Sequence, residues 1–131
     1  MEYWLAMAIG ASIAAVMLAL FARFPAKTLA LQGYFALCVM LSIYLGAKLV
    51  TGTLTEILIE TAIACAAAGI AWVAMQRWLP SIGAAIILHG CYDALIGPHT
   101  GVAEWYPPLC AGFDWVAGTA LIVILMRKNR D

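Results

Sequence analysis

Charged and turn-forming residues punctuate this chain at wide intervals, and the stretches between them are apolar over lengths that suit a bilayer. Cutting at charges, prolines and glycines leaves five runs. The first extends from Tyr3 to about Ala22 (residues 3–22) and is closed by Arg23-Phe24-Pro25-Ala26-Lys27. The second runs from about Leu29 to Ala47 (29–47), is ended by Lys48, and is followed by a short turn, Leu49-Val50-Thr51-Gly52-Thr53. The third covers Leu54 to Met75 (54–75) and stops at Gln76-Arg77. The fourth starts at Pro80, a residue suited to a first helical turn, and ends at Ile96 (80–96), before Gly97-Pro98. The fifth runs from Pro108 to Met126 (108–126). The pattern predicts an all-α fold: a polytopic transmembrane helix bundle of five spans, forming one integral membrane domain over 1–131 without linker, repeat or low-complexity stretch.

The fourth run would reach roughly 25 Å, short of a hydrocarbon core of about 30 Å. It reads as a short full span or, alternatively, as a re-entrant segment beside four spans. The charges favour the full span. With five spans, Arg23, Lys27, Arg77, Arg127, Lys128 and Arg130 share one side, and of the 7 Lys and Arg residues only Lys48 falls on the other. The positive-inside rule then puts the N-terminus outside and the C-terminus in the cytoplasm. Met1-Glu2-Tyr3-Trp4 lacks the basic start of a secretory signal, so the first run is expected to stay as a membrane helix.

Composition strengthens this class. Hydrophobic residues make up 66% of the 131 residues and charged ones 11%, with a mean hydropathy of +0.98. Soluble domains carry roughly 45–50% apolar and about 25% charged residues. Net charge is zero, and the tail Arg127-Lys128-Asn129-Arg130 reads as a membrane-flanking anchor, so no nucleic-acid partner is expected. Cys38, Cys65, Cys91 and Cys110 fall in separate runs with no C-x-x-C pair, which gives no disulfide framework. Gly10 with Ala14, and Ala64, Ala68 and Ala71, are spaced for close helix approach. Trp4, Trp78, Trp105 and Tyr106 are expected as interfacial anchors.

Four ionisable residues interrupt the apolar runs: Glu60, His89, Asp93 and Asp114. A charge at mid-bilayer costs about 2.5–3.5 kcal/mol or more and by default signals function. The alternating topology brings all four to one depth in the outer leaflet. Glu60 lies one helical turn, about 6 Å, below Glu56 on the same face, His89 and Asp93 share a face as i and i+4, and Asp114 lies roughly 9 Å into the fifth run. Three arrangements would satisfy such a cluster. His89, Asp93, Asp114 and Glu60 could ligate a divalent metal such as zinc, iron, manganese or magnesium. They could form a metal-free proton path or acid–base pair. They could also be a hydrogen-bonded knot that holds helices in register. Ser42 and Tyr44 reach the same layer, His99 lies just above it, and Trp115 stands beside Asp114. Glu104 reads as solvated, and Lys48 is placed to pair with Glu56.

The segment Leu88-His89-Gly90-Cys91-Tyr92-Asp93, with Gly97-Pro98-His99, Pro107-Pro108, Cys110-Ala111 and Asp114, resembles a family of small, uncharacterised bacterial integral membrane proteins. Its members carry a Leu-His-x-x-aromatic-Asp helix and a Cys-Ala-x-x-Asp start to the last helix. The match covers about the last third of the chain, and the upstream runs agree in hydropathy only. Tyr92 stands where tryptophan is more usual, and His99 is single where a histidine pair closer to the aspartate is expected. That departure argues against a multi-histidine metal site, and the resemblance implies a bacterial inner-membrane location and nothing about activity.

The reading that results is a small multi-pass inner-membrane protein with an outer-leaflet Glu/His/Asp pocket that binds a divalent metal. If the pocket is catalytic, with Asp93, His89, Asp114 and Glu60 as ligands or acid–base groups, its depth suits an amphiphilic substrate entering from the lipid bilayer. The alternatives are a proton- or cation-coupled carrier or accessory subunit, expected as a homodimer, and a structural partner in a membrane complex.

Overall fold

A computed structural model describes residues 2–129. Arg130, counted above on the cytoplasmic side, lies outside the described residues. The described chain is all helix: α1 (Glu2–Phe21), α2 (Ala26–Thr51), α3 (Leu54–Arg77), α4 (Ser81–Leu95), a 3-10 turn at Gly97–His99, and α5 (Tyr106–Lys128). Four of these helices are long and apolar enough to cross a membrane, whereas α4, with 15 residues, is shorter. Large apolar side chains such as Val16, Phe35, Ile70 and Leu88 cover the outside, a surface that suits lipid rather than water.

The helix boundaries follow local chemistry. Pro25, at φ −56°, precedes α2 and carries no N–H to continue α1. The expected end of the second run at Ala47 is wrong by one turn: the helix continues to Thr51. Lys48 does not break it, because its ammonium reaches Glu56 Oε1 at 2.9 Å, as its spacing suggested, so the charge is met while the backbone stays helical. The chain turns only at Gly52 and Thr53. Thr53 then caps α3: its hydroxyl accepts from the Glu56 N–H, and the Glu56 carboxylate accepts from the Thr53 N–H at 2.8 Å. A reciprocal cap of this kind is worth about 1 kcal/mol.

Two helices organise the bundle. The centre of α4 is enclosed by α2, α3 and α5, and α5 also packs along α1. On α4 the buried positions Ile82, Gly83, Ile86, His89, Gly90 and Asp93 repeat at three- and four-residue steps, one continuous stripe that carries both core and chemistry. On α1 the buried positions are Ala6, Gly10 and Ala14. A Cβ at Gly10 would collide with the Leu109 carbonyl, so the small residues bring α1 into backbone contact with α5 as their spacing predicts.

The small residues of α3 behave differently. Only Ala71 and Met75 of this helix are buried. Ala71 is buried in the core, while Ala64, Ala67 and Ala74, with Ala71 at their edge, line a cavity of about 460 Å³ between α2, α3 and α4. Short side chains on a loosely packed face leave volume instead of removing it. The tryptophans expected as anchors, Trp4, Trp78 and Trp105, are exposed near helix ends. Tyr106, half-buried at the start of α5, packs its ring 6.2 Å from that of Tyr44 and 5.9 Å from that of Trp105.

Candidate metal centre

His89 and Asp93 project from the buried stripe of α4, and Asp114 meets them from α5. Gly90 makes this meeting possible. A Cβ there would lie 2.9 Å from both Asp114 Cβ and the Trp115 ring, so only glycine allows α5 to bring its carboxylate onto His89. Trp115 accordingly covers Gly90. His89 Nδ1 lies 2.8 Å from Asp114 Oδ2 and 3.3 Å from Asp93 Oδ2. His89 is 6% exposed and both aspartates are 0% exposed.

The aromatic surround comes from α2. Tyr44, fully enclosed, donates its hydroxyl to Asp93 Oδ1. Its ring stands 6.0 Å from His89 and 5.3 Å, edge on, from Tyr92. Gly97, in the turn after α4, leaves room for that phenol: a Cβ there would fall 2.8 Å from the Tyr44 oxygen.

Glu60 is near but separate. It accepts a hydrogen bond at 3.0 Å from the Tyr92 hydroxyl and lines the α2–α3–α4 cavity. The four residues singled out by depth therefore divide into a contacting trio, His89, Asp93 and Asp114, and one outlying acid. Ser42 bonds its own helix at the Val39 carbonyl, 2.6 Å away, and is exposed, as are His99 and Glu104. Sequence reasoning gave Tyr44 a depth but no partner, and it missed Tyr92 as the donor to Glu60. The signal for Tyr92 was present, since it adjoins Asp93 and faces the third helix across one turn.

The trio is under-satisfied as it stands. One imidazole N–H at Nδ1 can serve one carboxylate, and the shorter contact goes to Asp114. His89 Nε2, Asp93 Oδ2 and Asp114 Oδ1 are buried without hydrogen-bond partners. Each unmade bond of this kind costs about 1–3 kcal/mol. Charge balance points the same way. Two carboxylates with a protonated imidazole leave one negative charge uncompensated, and a lone buried charge is far more expensive than an unmade bond.

A divalent cation would meet the charge deficit, and if held through Nδ1 it would engage Asp93 Oδ2 but leave Nε2 without a partner. With neutral imidazole and two carboxylates the site becomes neutral, and one donor atom from each residue lies within 4.8 Å of the others. The contacts of 2.8 and 3.3 Å are hydrogen-bond and ion-pair distances; four-coordinate ligands at about 2.0–2.2 Å would stand about 3.3–3.6 Å apart, so an ion would open the shorter one. Three protein donors leave a position for water, the arrangement of hydrolytic metal sites. The Tyr44 hydroxyl bonds the second oxygen of Asp93 and would orient that carboxylate toward an ion.

Comparison of the chain with protein-family models, with curated proteins and with solved structures gives no match.

Proposed function

We propose that this is a multi-pass protein of a bacterial inner membrane, and that His89, Asp93 and Asp114 hold a divalent metal within the outer leaflet. In this reading the N-terminus is outside, the C-terminus is cytoplasmic, and short α4 is the fourth of five spans, packed mainly on α5. The chain is taken as a relative of the small bacterial membrane proteins that it resembles. The observation that carries the metal is the deficit of the trio: two fully buried carboxylates share one imidazole, and three buried polar atoms lack partners.

The mixed nitrogen–oxygen donor set suits zinc, manganese or ferrous iron better than a softer ion. A metal in this position supplies an activated water, and the membrane depth makes an amphiphile the natural substrate. Glu60, on the cavity side of Tyr92, is placed to orient the polar end of such a molecule. One geometric feature favours a second, metal-free reading. Asp114 engages Nδ1 while Nε2 is unengaged, which is how a carboxylate orients a histidine as a general base.

Thermal unfolding in detergent separates the two. Protein stripped with chelator should gain about 2.7 kcal/mol of stability when zinc or manganese is added at one hundred times its dissociation constant. A stripped protein whose unfolding is indifferent to zinc, manganese, iron and magnesium contradicts the metal reading and leaves the oriented base.

A further inference from the structure

His89 borders more than the aspartates. Its ring also lines the cavity between α2, α3 and α4, whose volume is about 460 Å³. The walls extend from Glu60 to Ala74 on α3 and from Ser81 to Tyr92 on α4, spans of about 21 Å and 16 Å at 1.5 Å per residue. The cavity is thus elongated along the two helices, a shape that suits an extended hydrocarbon chain. The lining is alanine, leucine and isoleucine for most of that length. At one end it changes, because Glu60, Tyr92, Tyr44 and His89 converge there.

That end has unmet hydrogen-bonding capacity. His89 is 6% exposed and its Nε2 has no partner. Glu60 receives one hydrogen bond, from Tyr92, and has no ion-pair partner among the described residues. A second cavity, about 480 Å³ between α1, α2 and α5, makes a useful contrast. It is similar in size and has no ionisable residue in its walls; its polar lining is limited to Thr28 and Gln32, which carry no charge.

We propose that the α2–α3–α4 cavity binds a single-chain alcohol, with the hydrocarbon along the alanine stripe of α3 and the hydroxyl between Glu60 and His89 Nε2. This deepens the amphiphile reading above and rests on its membrane placement, but not on the metal. A hydroxyl carries one proton: it donates to the Glu60 carboxylate and accepts from His89 when Nε2 is protonated, or donates to Nε2 when it is not. A carboxylate head would meet Glu60 as a like charge, a juxtaposition that disfavours binding.

The test uses purified full-length protein in detergent and two photoreactive probes, a diazirine-bearing hexadecanol and the matching hexadecanoic acid, above neutral pH. Crosslinked peptides are mapped by mass spectrometry, and metal content is measured on the same samples. The alcohol should label cavity-facing residues of α3 and α4 about tenfold more than the acid does, a difference of about 1.4 kcal/mol. Ala67→Phe should remove this labelling, and Ala36→Phe, in the other cavity, should leave it unchanged. Glu60→Gln, which keeps the side-chain shape, should bring alcohol and acid to similar labelling even if Ala67→Phe fails to fold. Equal labelling by both probes in the unmodified protein, or labelling concentrated on α1 and α5, overturns the proposal. Metal lost with labelling intact would count against the ion alone; metal retained with labelling absent would count against the cavity alone.

Discussion

Asp114→Ala should lower the stability of the folded protein in detergent by about 3–5 kcal/mol, one of the largest effects of any single side chain here. Asp114 is fully buried, and its carboxylate is the nearer of the two acids to His89 Nδ1. Removing it leaves Nδ1–H without its best acceptor, and in the proposed metal-bound form it would remove one of the ion's three protein donors. Asp93 then carries a buried negative charge beside an imidazole that lies 3.3 Å away. Asp114→Asn keeps the shape and an acceptor oxygen, so its cost should fall to about 1–3 kcal/mol, while binding of the ion should still fail. Denaturant or thermal unfolding of the two variants beside the unmodified protein gives both numbers. A cost below about 1 kcal/mol for Asp114→Ala would mean that the trio is not electrostatically coupled as its geometry implies.

The second large effect should come from a position with no chemistry. Gly83 of α4 and Gly118 of α5 face each other so closely that a Cβ on either would lie 2.5 Å from the carbonyl oxygen of the other. Backbone cannot rotate away as a side-chain tip can. Gly118→Val should therefore force the two helices apart, costing about 3 kcal/mol or more. The same interface brings Asp114 to Gly90, so the separation should also disrupt the trio about two turns away and abolish any metal-dependent stabilisation. Glycines that face open space should respond in the opposite direction. A Cβ at Gly46 or Gly69 would meet nothing within 4 Å, so alanine at either should add about 0.5–1 kcal/mol. Unfolding midpoints of Gly118→Val and Gly69→Ala measured side by side test the packing. Similar shifts in both would contradict it.

Hydropathy alone locates every helix, because charges and prolines mark the ends of apolar runs whatever the tertiary packing. It errs at Lys48, where a single charge reads as a stop although its ammonium is met by Glu56 and the helix runs on to Thr51. The spacing of His89 and Asp93, together with the depth of Asp114, is enough to bring three residues to one site. It does not separate Glu60 from them. Depth follows from counting residues along a helix, but the rotation of that helix does not when apolar residues surround it on all sides. In α3 that rotation turns Glu60 toward Tyr92 and the cavity. For the same reason Tyr44 has a legible depth and an illegible partner, although its hydroxyl holds Asp93. The alanines of α3 show a further limit. Small residues at helical spacing are compatible with tight packing, as at Gly10, and equally with a cavity, and only the neighbouring helices decide which results.

Elemental analysis of detergent-purified protein beside Asp93→Asn tests the metal centre most directly. The expected result is near-stoichiometric zinc, manganese or iron in the unmodified protein, lost in the variant while its helical content is retained. Purified protein that contains no transition metal and acquires none on dialysis against these ions would contradict it. The two aspartates and His89 would then hold their charge balance through a shared proton.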